Sequence, residues 1–237
     1  NTVIDTELYK LVTFEMLVEA GVYVCVNTLL AGAIMDGSRI RGVIAESRAG
    51  REVFYAKSFV DCTAYGDLAA FAGADYTEPN DYSVANSFGM GNVNIDNLFK
   101  YLDDRDGILE YAEGRRSGED GKGIRVQGRW AKMPDGFKEE AGKIGLQSAT
   151  TTVYDNYLMF VKPNLKMSVS PTSRDEVAKA ELELRKRQLR TVELFRKYVP
   201  GCEKAFIART SPRLNIRRGR LITCDYDIKH EDVIEAR

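Results

Sequence analysis

Apolar residues return at helical spacing near the start of the chain. Leu8, Leu11, Val12 and Val18 recur at helical spacing with Glu15 in the same register, Leu17 widens the apolar face, and Asp5 or Thr6 stands where a helix cap is needed. This predicts a helix from Glu7 to a stop at Gly21. The period then shortens to two. Val22-Tyr23-Val24-Cys25-Val26 reads as a strand, followed by strand-like runs at Leu29 to Met35, Ile40 to Glu46, Val53 to Ala56 and Phe59 to Thr63. Asp36-Gly37 and Ala49-Gly50 separate the middle runs, and Asp-Gly between apolar runs is a strong hairpin cue. The pattern predicts a helix and a strand, then an antiparallel meander, then a further strand.

That last strand ends in the stretch around which the chain is organised, FVDCTAYGDLAAFAGADY, from Phe59 to Tyr76. Side chains shorten through Asp61, Cys62, Thr63 and Ala64, Gly66 permits a sharp turn, and Asp67 can cap a helix through Ala72. A strand, a small-residue elbow and a capped helix leave backbone N–H groups open to an anion and let a ligand approach the main chain closely. An ordinary strand–turn–helix connection has the same pattern, and both readings stand.

After Tyr76 the texture changes. Thr77 to Tyr82 is a polar linker, Ser83 to Gly91 a strand, and Ile95 to Leu102 a short helix. Asp103 to Gly123 reads as charged, glycine-rich loop with a helical turn, Ile124 to Trp130 as a strand, and Asp135 to Gly145 as a polar stretch. Thr151 to Val161 and Leu165 to Val169 flank Pro163-Asn164 and read as a hairpin. Ser173-x-x-Glu176 matches a capping box and opens the longest helix, stopped by Pro200-Gly201. Its predicted face is Val177, Ala180, Leu184, Thr191, Phe195 and Tyr198, extended by Leu182, Leu189 and Val192. Arg185, Lys186, Arg187 and Arg190 alternate with Glu176, Glu181, Glu183 and Glu193, which predicts a solvated, ion-paired face rather than a phosphate site.

Composition narrows the classes. The chain has 237 residues, 44% of them hydrophobic, and a net charge of -1, which argues against a broad nucleic-acid footprint. No apolar run reaches the length of a membrane span. The four cysteines, Cys25, Cys62, Cys202 and Cys224, form no C-x-x-C pair and read as reduced core thiols, pointing to a cytoplasmic setting. The one histidine, His230, lies in the charged run KHED, a surface position, so neither a histidine zinc site nor a Ser-His-Asp triad is supported and no metal site is expected.

Glu19-Ala20-Gly21-Val22, Asn27-Thr28, Arg39 to Val43, and Asp61-Cys62-Thr63 through Gly66-Asp67 together resemble the FAD-dependent oxidoreductase family, related to fumarate-reductase-type and glutathione-reductase-type flavoproteins. The tail carries a second match to that family in Pro212-Arg213, Ile216-Arg217, Arg220, Leu221-Ile222, Asp225-Tyr226 and Asp232-Val233. Tyr198-Val199-Pro200-Gly201 matches the end of the family's long helix. Two departures stand out: Ala64-Tyr65 where a glycine often follows D-x-T, and Arg218-Gly219 where the family has an acidic residue and Thr or Ser.

The resemblance implies an α/β fold: the distal part of a Rossmann-like FAD-binding domain with its antiparallel β-meander over residues 1–76, an α+β substrate or cap domain over 77–212, and a return segment over 213–237. It implies FAD as cofactor, with Leu29 and Leu30 by the adenine and Thr63, Ala64, Gly66 and Asp67 by the cofactor at the elbow. It also implies Arg217 and Arg220 as the charged groups toward a small-molecule substrate or the reduced flavin, since guanidinium stays protonated and binds in a fork. An interdomain ion-pair cluster is the competing reading of those arginines. Tyr154 and Tyr157 are possible proton donors and equally possible sheet aromatics.

The fingerprint G-x-G-x-x-G is nowhere in the chain. Its task is to seat a pyrophosphate on a helix N-terminus. The expectation is therefore an internal fragment of a flavoprotein that lacks its first βαβ unit and the C-terminal segment closing over the flavin, inactive by itself. Two rivals remain: a non-catalytic interaction domain that keeps the fold without cofactor, and a carbohydrate- or polyanion-binding module using the basic helix face and the Arg217 to Arg220 cluster.

Overall fold

A computed structural model of the chain describes residues 4–79, 83–108, 114–121, 130–150 and 153–236. It is a mixed α/β structure whose paired strands, among the described residues, are all antiparallel. The chain divides into two compact units, Asn1–Val22 with Tyr82–Arg217, and Tyr23–Asp81 with Arg218–Arg237.

The larger unit opens with α1 (Thr6–Glu19), capped by the Asp5 carboxylate, which accepts from the amides of Glu7 and Leu8. The predicted helix is there, yet none of its residues is buried. The sheet of this unit runs β11 (Phe206–Thr210), β6 (Phe88–Gly91), β10 (Tyr157–Leu165) and β5 (Val84–Ala85), and β9 (Leu146–Thr150) also pairs with β10. The hairpin predicted about Pro163-Asn164 is corrected. β10 runs straight through that dipeptide, pairing there with β9 at Pro163 and with β5 at Asn164, with a register shift against β9 between Lys162 and Pro163 where the proline lacks a donor. The single strand predicted over Ser83 to Gly91 is broken into β5 and β6 at Asn86-Ser87. There the buried Asn86 exchanges hydrogen bonds with Glu181 and Gln188 of the long helix.

Helices α3 (Ile95–Asp103), α4 (Asp135–Ile144) and α5 (Arg174–Tyr198) complete this unit. α4 replaces the predicted polar stretch. Phe137, Ala141 and Ile144 recur on one face and are buried, a signal masked by charged neighbours and two glycines. One of these, Gly136, makes room for Tyr198, whose hydroxyl would lie 2.5 Å from an added Cβ. Phe88, Met90, Phe137, Leu158, Leu184, Leu194 and Phe195 are fully buried, each worth about 1.5–3 kcal/mol of transfer free energy. α5 buries Ala180, Leu184, Gln188, Thr191, Val192, Leu194 and Phe195, but Leu182 and Leu189 are exposed, so the apolar face is narrower than predicted. Its capping box is not formed. Ser173 makes no side-chain cap bond and Glu176 instead accepts from the Ser170 amide. The ion-paired face is present, with Arg185 bonded to Glu181 and Arg187 to Glu183. Part of the predicted 103–123 loop is a hairpin of β7 (Gly114–Arg116) and β8 (Glu119–Gly121). The strand expected over Ile124 to Trp130 falls outside the described residues except for Trp130, which opens a 3-10 turn.

The smaller unit holds the meander β1 (Leu29–Asp36), β2 (Arg39–Ser47) and β3 (Gly50–Tyr55), in that order across the sheet, with the turns where they were expected. Helix α2 (Asp67–Phe71) packs against β1. β4 (Tyr76–Thr77) pairs with β12 (Leu221–Ile222), and α6 (His230–Ile234) is exposed, His230 included. Two predicted strands are absent. Val22 to Val26 and Phe59 to Thr63 have no ladder partner among the described residues, and a strand exists only within a ladder. Most of their apolar side chains stand in solvent, with Tyr23 at 84% and Val60 at 85% exposure, while Val24 and Phe59 are half-buried. All four cysteines are unpaired, but only Cys202 is buried, and the reading of Cys25, Cys62 and Cys224 as core thiols is corrected.

Candidate functional site

The elbow from Asp61 to Asp67 is a self-bonded loop. Asp61 Oδ1 accepts from the Thr63 amide at 3.0 Å and the Thr63 hydroxyl at 2.7 Å. Its Oδ2 accepts from the Ala69 amide at 3.1 Å. The Thr63 hydroxyl oxygen in turn accepts from the Asp67 amide at 2.8 Å. An aspartate two residues before a threonine is a turn-forming combination, and here it also caps α2 from outside the helix. Burial works against the Asp61 charge. The Thr63 hydroxyl and the amides of Thr63, Ala69 and Leu68 outweigh it and hold the carboxyl below its ordinary range. The first-turn N–H groups expected to face an anion are therefore engaged by Asp61 and Thr63. Asp67, expected as the cap, is the first helical residue, and Gly66 occupies the cap position without a side-chain bond.

Backbone conformation makes the loop tight. Ala64 has φ 71° and Gly66 φ 61°, both left-handed. A Cβ at Gly66 would stand 2.8 Å from Ile222 Cδ1, so glycine is required there both by conformation and by packing.

The return segment closes the elbow. Arg220 Nη1 donates to Asp67 Oδ1 at 2.6 Å and to the Tyr65 carbonyl at 3.2 Å. Its guanidinium carbon lies 5.1 Å from the centre of the Tyr76 ring, and Glu78 is 3.9 Å from Nε. Burial opposes the Arg220 charge, but the bonds to Asp67 and the Tyr76 hydroxyl outweigh it and raise its pKa. Nε is buried and has no hydrogen-bond partner among the described residues. Sequence reasoning missed Asp61, Tyr76, Glu78 and Ile222 as members of this cluster. Only the Asp-x-Thr spacing offered a local signal.

Leu29 and Leu30 begin β1, paired with Glu46 and Ala45 of β2. β1 is an outer strand of its sheet, so its other edge has no strand partner among the described residues. Because α2 packs on β1, the smaller unit brings together the neighbourhoods of all six cofactor candidates: Leu29, Leu30, Thr63, Ala64, Gly66 and Asp67. An open cleft of about 600 Å³ adjoins the start of β1, lined by Val26, Asn27, Ser47, Arg48 and Ala49.

The two arginine candidates differ. Arg220 belongs to the smaller unit and is committed to the clamp. Arg217 belongs to the larger unit, is exposed and makes no hydrogen bond or ion pair with another described residue. Burial, and then the charge of Arg217, hold the Lys162 pKa below its usual value. Of the tyrosines, Tyr154 donates its hydroxyl to Asp5, which raises the phenol's pKa. Tyr157 accepts from Arg209 Nε at 3.0 Å. Arg209 also reaches the Met159 carbonyl and Glu7. Both phenols are held by charged neighbours of the sheet and of α1. Among the described residues no three metal-ligating side chains cluster, and no helix is long and apolar enough to cross a membrane.

A model of the family described as FAD dependent oxidoreductase matches residues 1–237. Among curated proteins and among solved structures, nothing matches.

Proposed function

This chain belongs to the FAD dependent oxidoreductase family, whose cofactor is FAD, and from that premise we propose that its smaller unit holds one side of the flavin nucleotide. The observation that carries this reading is the packing of α2, which the elbow opens, against β1, an outer strand of the meander. The unpaired edge at Leu29 and Leu30 offers backbone donors and acceptors to an adenine. The short side chains of Thr63, Ala64 and Gly66 let a ligand meet the main chain. Bound FAD would supply hydride acceptance or donation toward a small-molecule substrate. The chain's own residues supply orientation and charge.

In this reading Arg217 serves an anionic substrate group, because its guanidinium makes no hydrogen bond or ion pair with another described residue. Arg220 acts at one remove, fixing Asp67 and the Tyr65 carbonyl so that the elbow keeps its shape. The larger unit is the substrate-bearing part, and the subtype is fumarate-reductase-like or glutathione-reductase-like. The pyrophosphate needs another seat, since Asp61 and Thr63 already occupy the α2 amides. A further segment of an incomplete flavoprotein, carrying the phosphate turn, is that seat. The uncovered apolar residues of α1 and of Val22 to Val26 support its existence.

The same engaged amides favour a second reading, an interaction domain that keeps the fold without cofactor. Titrating FAD into the 237-residue chain, followed by flavin fluorescence, tests the fragment reading, which expects weak or no binding. Tight stoichiometric binding would overturn the need for another phosphate seat. Purifying the protein in which this chain occurs decides between flavoprotein and interaction domain. Flavin absorbance is expected, and its absence after FAD reconstitution would favour the second reading.

A further inference from the structure

We infer that the cleft between the C-terminal end of α4, strands β9 and β10, and helix α5 is a binding site for a small oxyanion, a carboxylate or a phosphate. It lies within the larger unit and stands independently of the flavin reading. The cleft encloses about 440 Å³, within the range of small-molecule sites. Lys143, Lys166 and Arg187 line it, together with Asn164, Gln147 and Ser83, and among the described residues no acidic one does.

Arg187 is held as a built guanidinium. Nε bonds Glu183 at 3.0 Å, and Nη1 donates to the Ile144 carbonyl at 2.9 Å and the Asn164 carbonyl at 2.5 Å. The side chain is only 17% exposed, and Nη2 makes no bond with any described residue. A guanidinium immobilised through one side, with its second nitrogen free, is pre-organised to bind an oxyanion. The opposing charges are Glu183 on Arg187 and Glu139, which pairs with Lys143 at 2.6 Å on the exposed surface; Glu140 also acts on Lys143 but is itself paired with Lys197. Lys166 is exposed and has no hydrogen bond or ion pair with another described residue. Three cations against two carboxylates leave one positive charge uncompensated at the cleft. Asn164 adds the second, independent sign. Its side-chain Oδ1 is buried without a donor, the one such atom among the described residues of this unit. A buried amide oxygen without a donor is uncommon in a completed structure, and because the bare oxygens of an oxyanion only accept, a bridging water or a protonated ligand oxygen is what would complete it.

Trp130, the sole tryptophan, reports on this cleft, because its indole N–H donates to the carbonyl of the lining residue Gln147 at 3.1 Å. The test titrates sodium phosphate and sodium malonate separately into the 237-residue chain, with ionic strength held constant by sodium chloride. Trp130 emission and calorimetric heat are both read. A saturable response to at least one oxyanion is expected, and the stronger of the two arms assigns phosphate or carboxylate. Lys166→Glu, at an exposed unpaired position, is expected to weaken that binding by about tenfold or more through charge reversal. Lys57→Glu, an exposed lysine of the other unit, is expected to leave it unchanged. No saturable response in either readout overturns the site, as does Lys166→Glu binding with the affinity of the parent chain.

Discussion

Removing the Arg220 guanidinium while keeping its stem, as Arg220→Met, tests whether the return segment really fixes the elbow. The arginine contributes a 2.6 Å bond to the Asp67 carboxylate, a 3.2 Å bond to the Tyr65 carbonyl and a cation–π contact with Tyr76. A hydrogen bond to a charged group contributes about 1.5–3 kcal/mol when buried. Here the Arg220 side chain is 14% exposed but that of Asp67 is 37% exposed, so the orphaned carboxylate regains water easily. Discounting for that screening leaves about 1–2 kcal/mol. Local opening free energy is read by amide hydrogen exchange at Ala70 and Ala72, whose N–H groups bond the carbonyls of Gly66 and Leu68. One or two kcal/mol corresponds to exchange faster by about 5–30-fold. Asp67→Asn should accelerate the same amides, and the double substitution should add little to either single one, since both remove one contact. Unchanged exchange in Arg220→Met, or simple additivity of the two, would refute the clamp. Arg220 would then return to the position of a group free to act on a ligand.

Three other outcomes are expected. Gly89→Ala should destabilise the larger unit by about 1–3 kcal/mol in chemical denaturation, because an added Cβ would fall 2.0 Å from the Tyr157 hydroxyl and push it off Arg209. A melting curve superimposable on the parent's would contradict this. A water-soluble disulfide reagent should label Cys25, Cys62 and Cys224 in the native chain and Cys202 only after unfolding. Burial and the nearby Glu203 push the Cys202 thiol up to about 12, so almost none is thiolate near neutrality; four fast thiols would contradict it. The elbow should loosen in acid. A carboxyl held below its ordinary value stabilises the fold above the unfolded pKa of about 4, and this is lost as pH falls through the depressed folded value. The Ala70 amide should therefore lose protection below about pH 4 in the parent chain and show no such step in Asp61→Asn.

How much of this was legible in the sequence depends on whether the signal was local. The meander could be read because each hairpin carries its own turn, Asp36-Gly37 and Ala49-Gly50, and its own alternation. Val22 to Val26 is also rich in valine yet has no ladder among the described residues, because pairing is set by a neighbour that composition does not name. α4 was hidden for the converse reason. Gly136 and Gly142 lower the helical signal of a stretch that reads as polar, although Gly136 is there for the Tyr198 hydroxyl, a contact 62 positions away in a chain of 237.

The elbow shows the same division within one motif. Its turn was legible from Gly66 and the shrinking side chains, but the inference from turn to anion site failed on the residues that looked like mere spacers. Asp61 and Thr63 place carboxylate and hydroxyl oxygens on the amides of α2, so the helix start is already occupied by the chain's own negative charge. A phosphate brought to that position would have to displace Asp61 and meet its carboxylate at close range, a like-charge contact that disfavours binding. The elbow is thus poorly suited to phosphate. Asp61→Asn removes the opposing charge while keeping an oxygen for Thr63. It should therefore raise the affinity of the chain for inorganic pyrophosphate if charge is the barrier. An affinity unchanged from the parent would place the barrier in the tightness of the loop at Ala64 and Gly66 instead.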